Sequence, residues 1–211
     1  MPRSFSHLTP RYIIDRTREK IYRRSHPGLP WFSPQAIAFL QEYLLPTDEG
    51  LEFGSGRSTI WFARRVHHLT SVEHNADWAN RVRSMLAAES ITNVDLIHHP
   101  RVEGSNPDIA HTAYVSVTSS FKPQSIDFAI IDGIYRAQCT LRCLPLLKSH
   151  AVLIIDNVNK YLPSESIAPN SRSLEQGPAG ADWNEVWQII QPWRRYWTGN
   201  GVSDTAFFFK P

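Results

Sequence analysis

From about Glu49 onward, short apolar runs rich in β-formers alternate with stretches that read as helix, and few folds accommodate that alternation. Gly50–Phe53 is a brief apolar run broken by Gly54-Ser55-Gly56. A helical stretch follows over Ser58–Val66, then a strand over His68–Glu73, a helix over Ala76–Ala88 and a strand over Asn93–His98. Ile126–Ile131 (IDFAII) and Ala151–Ile155 (AVLII) read as further strands, separated by a helix over Tyr135–Leu147. These two runs are continuous rather than alternating, the pattern of parallel strands covered on both faces. Such strands joined by helices predict a doubly wound α/β sandwich. The tail departs from the pattern. After a helix over Trp183–Ile190, the β-rich segments Arg194–Thr198 and Thr205–Phe209 are separated only by GNGVSD, which has no room for a helix and predicts a terminal antiparallel hairpin.

The 211 residues suit one main domain with an appendage. Residues 1–47 read as a helical N-terminal cap in which Ser33 and Pro34 open a helix, and residues 48–211 as the main domain. Residues 160–182, rich in Pro, Ser, Gly and Ala, read as a lid loop. No apolar run is long enough to span a bilayer, and the N-terminal stretch lacks the apolar core of a secretory signal. Cys139 and Cys143, one helical turn apart, are badly placed to bridge each other, so a reducing, cytoplasmic setting is expected. Residues 1–25 carry seven basic and two acidic side chains, whereas the remainder is mildly acidic. A docked or solvated basic helix accounts for that arm without nucleic acid as a partner.

The densest signal is Leu51-Glu52-Phe53-Gly54-Ser55-Gly56, where a strand ends on glycines and a helix begins at once. Glycines let the backbone turn sharply and approach a ligand, whose polar groups then meet free N–H groups. Glu73 follows at the end of the second strand, where a carboxylate can accept ribose hydroxyls. The third glycine of the dinucleotide fingerprint is absent, its position held by Thr59. On these residues the chain resembles the class I S-adenosylmethionine-dependent methyltransferases over roughly residues 48–211. The resemblance implies a Rossmann-like three-layer sandwich with a mostly parallel seven-stranded sheet and a C-terminal antiparallel hairpin. It also implies S-adenosylmethionine as cofactor, with Glu52, Gly54, Ser55, Gly56 and Glu73 as its binding residues. Adenine contacts are expected near His98 and His99, without a motif to select one. Trp31, in GLPWFSP, sits where a cap would cover a cofactor.

Two further strand ends read Ile131-Asp132-Gly133 and Ile155-Asp156-Asn157. Parallel neighbours would bring both acids to the carboxyl edge of the sheet, where repulsion is relieved by a proton or a cation. This arrangement resembles the metal-dependent catechol-type O-methyltransferases, which implies Mg²⁺ held by Asp132, Asp156 and Asn157 and used to orient an acceptor hydroxyl. The catechol enzymes place a Lys three residues after the first Asp as general base. Here that position is Tyr135, followed by Arg136, and Asp132 is the candidate base instead. Arg136 reads either as a surface residue or as a partner for an acidic substrate. The function expected is methyl transfer to the oxygen of a small-molecule or glycosidic acceptor. The rival readings are a nicotinamide oxidoreductase, a nucleic-acid methyltransferase and a non-catalytic cofactor-binding module; oligomeric state has no sequence signature.

Overall fold

The computed structural model describes residues 9–102, 108–109 and 112–211. Two helices, α1 (Pro10–Ser25) and α2 (Pro34–Tyr43), precede the sheet. Then follow β1 (Glu49–Phe53), α3 (Arg57–Ala63), β2 (His68–Glu73), α4 (Ala76–Ala88), β3 (Val94–His98) and the one-turn α5 (Ala113–Ser116). The chain continues through β4 (Ile126–Ile131), α6 (Arg136–Cys143), β5 (Leu147–Asp156), α7 (Gly180–Ile190), β6 (Arg194–Gly199) and β7 (Asp204–Phe209). The seven strands lie in the order β3-β2-β1-β4-β5-β7-β6. β1 to β5 pair in parallel, whereas β7 runs antiparallel to both β5 and β6. This is the Rossmann-like sandwich with a terminal hairpin that the alternation implied.

The continuous apolar strands are buried on both faces, and their side chains divide between two cores with period two. Ala129, Ile131, Leu153 and Ile155 pack with Val186 and Ile190 of α7. Phe128, Ile130, Val152 and Ile154 pack with Ile37 and Leu40 of α2 and Phe62 of α3. α2 thus belongs to the main core. The Ser33 hydroxyl caps it, accepting from the Ala36 N–H at 3.1 Å, and donates at 2.9 Å to Thr198 of the hairpin. α1 is docked more lightly. Its one buried residue is Glu19, paired with Arg16 and Arg23, while Ile13, Ile14 and Ile21 face outward.

The helix expected over Tyr135–Leu147 ends at Cys143 because Pro145 has no N–H to continue the ladder. β5 begins at Leu147, four residues before the apolar run, and the polar Lys148 that conceals its start is paired with Asp127 of β4. Residues 160–182 are tied down. The Arg172 guanidinium donates to Gly177 O and Gln176 O, the buried Asn159 donates to Ser171, and Tyr161 stacks on Trp183 at 4.8 Å. Among the described residues, no helix is long and apolar enough to cross a membrane.

A Cβ on Gly50 would meet the ring of Phe128 at 2.1–2.7 Å, and Phe62 stacks on that ring. Gly50→Ala should therefore overpack this core and lower stability by about 1–3 kcal/mol in denaturant melts. Adding Phe128→Leu should make the pair less unstable than the sum of the single changes, because the two residues touch.

Candidate active site

β1 ends at a fully buried carboxylate. Glu52 accepts hydrogen bonds from the hydroxyls of Ser58 (2.6 Å) and Thr59 (2.5 Å) in α3 and of Ser71 (2.5 Å) in β2. One side chain therefore ties two adjacent strands to the helix that follows the glycine loop. Burial pushes its carboxyl up to about 6; the three hydroxyls oppose that rise and the nearby Glu73 charge adds to it. Glu52 does not line the cavity above it, so its place is beneath the loop rather than against a ligand.

Above Glu52 the chain turns at Gly54, whose φ of +97° is left-handed. A Cβ there would meet the backbone of Asp132 and Gly133 at 2.7–2.8 Å, so the ends of β1 and β4 touch main chain to main chain. Gly133 is hemmed in likewise: a Cβ would lie 2.0 Å from the hydroxyl of Tyr114, a buried residue of α5. Gly56 is different. Its backbone is extended and open to any residue, and the nearest side chain, Trp78, lies at 3.7 Å from a built Cβ. Of the two loop glycines, only Gly54 is required by conformation.

Glu73 closes the other wall. One oxygen accepts the Ser55 N–H at 3.2 Å; the other accepts the N–H groups of His74 (2.9 Å) and Asn75 (2.8 Å). A carboxylate has about four acceptor sites, so three are committed to backbone and roughly one is left for a ligand. The Trp78 indole N–H donates to Ser55 O at 2.7 Å and fixes the loop from α4.

These groups enclose a cavity of about 660 Å³, reaching from Glu73, Asn75 and Trp78 at one end to Asp132, Gly133 and Ile134 at the other. Gly54, Ser55, Gly56 and Glu73 all line it, and His98 and His99 do not. Trp31 and Phe32 cover it from the segment between α1 and α2, with the guanidinium of Arg23 4.7 Å above the Trp31 ring. A second cavity of about 470 Å³ shares Gly133 and Ile134 with the first and is walled by Tyr135, Arg136, Tyr161 and Trp183.

The strand ends expected to hold a cation do not form that site. Asp156 is buried, with its two oxygens taken by the Thr205 hydroxyl (2.6 Å) and the Asn157 amide (2.8 Å). Asn157 itself is left-handed, and its nitrogen faces Asp156. The guanidinium of Arg136 joins the two strand ends: it donates to Asp132 Oδ1 at 2.8 Å, to Asp132 O at 2.9 Å, to Gly133 O at 3.0 Å and to Asp156 O. Among the described residues no group of three or more His, Cys, Asp or Glu is arranged for a metal ion. The Asn157 amide turns its nitrogen, not its oxygen, toward Asp156, and a guanidinium already lies on Asp132 Oδ1, so the three side chains are not assembled as a donor set for Mg²⁺. About a third of the Asp132 side chain is exposed, and burial of the rest together with the Asp156 charge raises its carboxyl well above the usual range.

The profile of the methyltransferase domain family matches residues 51–158, from the glycine loop through the second strand end. The chain belongs to that family, within the class I S-adenosylmethionine-dependent methyltransferases. Membership decides against a nicotinamide oxidoreductase. No curated protein matches the chain. Among solved structures, a Staphylococcus aureus protein assigned as a caffeoyl-CoA O-methyltransferase is similar at a TM-score of 0.60, with 20% identity, 95% of this chain and 98% of that one covered. A Geobacter sulfurreducens methyltransferase gives a TM-score of 0.57 at 14% identity, covering 100% of this chain and 91% of its own. A Streptococcus mutans protein assigned as a methyltransferase, solved with SAH, gives 0.55 at 13%, covering 85% and 98%. At these identities the likeness is one of fold.

Arg136, Tyr114 and Trp78 complete the site beyond the expected residues. A methyltransferase built on this loop has its pH response set in part by Glu52. Its raised value means that the fold gains stability as pH falls from about 6 toward 4.5 and loses it as pH rises again. The difference in unfolding free energy between wild type and Glu52→Gln should change by about 1–2 kcal/mol across that window. Parallel curves in denaturant titrations at pH 4.5 and 7 would show that Glu52 titrates normally.

Proposed function

We propose that the protein binds S-adenosylmethionine in the cavity of about 660 Å³ and transfers its methyl group to the hydroxyl oxygen of a small-molecule acceptor in the adjoining cavity. The observation that carries this reading is the shared wall. Gly133 and Ile134 border both cavities, so a donor spanning from Glu73 to Asp132 would present its reactive end where the second cavity opens. Oxygen as the acceptor atom is supported by the likeness to the Staphylococcus aureus protein, whose assigned reaction is O-methylation.

When bound, S-adenosylmethionine supplies a methyl group on a sulfonium whose S–C bond breaks with the electron pair left on sulfur, as the O–C bond forms. The chain's own contribution is position and proton transfer. Glu73 offers its remaining acceptor site to a ribose hydroxyl, and the Gly54 turn keeps side chains out of the way. Asp132, opening into the donor cavity with a raised pKa, takes the proton released by the hydroxyl. Trp31 and Phe32 restrict water above the two reactants.

Glu73→Ala removes a charged acceptor, a loss of roughly 1.5–3 kcal/mol, so calorimetry should show S-adenosylmethionine binding about 10- to 150-fold more weakly. Because three backbone N–H groups lose their partner, the unliganded variant should also melt earlier. Unchanged affinity would remove Glu73 from the cofactor site. In a screen of hydroxyl compounds with labelled methyl donor, turnover should rise with pH through a single group as Asp132 loses its proton. Asp132→Asn should lower that turnover by about 10²–10⁴-fold at unchanged cofactor affinity. A variant that keeps full turnover would take the base role away from Asp132.

A further inference from the structure

Where catechol-type relatives would place a divalent ion, this chain places a cation of its own. The Arg136 side chain is only 12% exposed, and its guanidinium meets both strand ends, using Nε, Nη1 and Nη2 on four acceptor oxygens. One of those oxygens is the Asp132 carboxylate, and two others are main-chain carbonyls at the tips of β4 and β5. Tyr135, in the left-handed region with φ of +51°, sets the turn that starts α6 and directs Arg136 back over the strand ends. Behind this arrangement, Thr205 of β7 and the Asn157 amide bind the Asp156 carboxylate.

We infer that Arg136 stands in for the divalent ion, a fixed guanidinium that offsets the two carboxylates, ties β4 to β5 and occupies the space a metal would need. A planar guanidinium can do what the ion would do for Asp132, because it is always charged and presents several donors in a rigid fork. It differs in one respect: it offers no open coordination position, so an acceptor hydroxyl meets Asp132 rather than a metal. Arg136 is thus a positioning residue. The inference concerns the two strand ends alone and stands whether or not the proposed transfer reaction is correct.

The test uses manganese(II) alone as probe, titrated into the full chain and followed by electron paramagnetic resonance. Wild type should show no site tighter than about 1 mM, the weak end of protein sites for hard cations. Arg136→Ala releases Asp132 and empties the space between the strand ends, and should bind one manganese at least about tenfold more tightly than wild type. Adding Asp132→Asn should abolish that gain. Loss of a clip between strands can unfold the variant, so Arg136→Gln, which keeps most of the side-chain volume, is titrated alongside, with circular dichroism as the check. A purely structural arginine would give destabilised variants with no gain of manganese. Two results overturn the inference: one manganese bound by wild type and lost in Asp156→Asn, or folded Arg136 variants that bind no better than wild type. If neither variant folds, the wild-type titration decides alone. S-adenosylmethionine calorimetry on the same wild-type sample reads the cofactor site separately, so failure of one reading is not mistaken for failure of the other.

Discussion

A carboxylate with no solvent exposure sits between the first two strands of the sheet, and the geometry of the glycine loop follows from how it is satisfied. Glu52 accepts three hydroxyls, one from β2 and two from the first turn of α3. An unpaired buried acid would be strongly destabilising, so the three hydroxyls are bound to their positions as firmly as the acid is. Fixing Ser58 and Thr59 fixes the start of α3, and the Thr59 hydroxyl in turn accepts the Gly56 N–H at 2.9 Å. The loop between them has little freedom left. Gly54 must then turn with positive φ, which brings its main chain against Asp132–Gly133 and joins the β1 end to the β4 end. The cavity wall is a consequence of satisfying one acid.

The carboxyl edge of the sheet carries a second, independent solution to the same problem. Asp132 and Asp156 converge, and their repulsion is relieved in part by a raised pKa and in part by Arg136. Glu52 is served by neutral hydroxyls, whereas the Asp pair is served by a full charge. The difference matches their surroundings. Glu52 is sealed within the sheet, where a charged partner would itself need desolvation. Asp132 opens to a cavity, where a guanidinium retains some contact with solvent.

The parts of this architecture written in neighbouring residues were legible in the sequence. The continuous apolar strands IDFAII and AVLII, covered on both faces, the hairpin around GNGVSD and the Ser33 cap depend on local pattern alone, and all three appear where they were expected. Glu73 was placed at a strand end by the length of one strand–helix–strand unit. What escaped depends on partners far apart in the chain. Nothing local shows that Arg136 bridges two strand ends, one of them twenty residues on, and by itself it reads as a surface arginine. The one-turn α5 is too short for any periodicity, yet it delivers Tyr114 against Gly133. The segment expected to be a lid loop is held by Asn159, which also accepts the N–H of Asp204 in the hairpin, 45 residues away. Its polar composition gave no hint of those ties.

On the proposed reading, the two acid systems also divide the electrostatics of transfer. A sulfonium donor carries positive charge that vanishes as the methyl group leaves, so carboxylates near the sulfur stabilise the bound donor more than the transition state. A cleft lined by uncompensated acids would hold the donor well and transfer slowly. At the ribose end, Glu73 fixes a part of the donor that does not react, using its position rather than its field. At the reacting end, Arg136 offsets much of the charge of the Asp pair, and the raised pKa of Asp132 makes its ionised form a stronger base toward the acceptor hydroxyl. The same guanidinium that removes the need for a metal thus prevents the Asp pair from over-stabilising the donor. A neutral residue at 136 would leave the Asp132 carboxylate uncompensated where it opens to the donor cavity, and the barrier would rise through tighter ground-state binding even with every reacting atom in place.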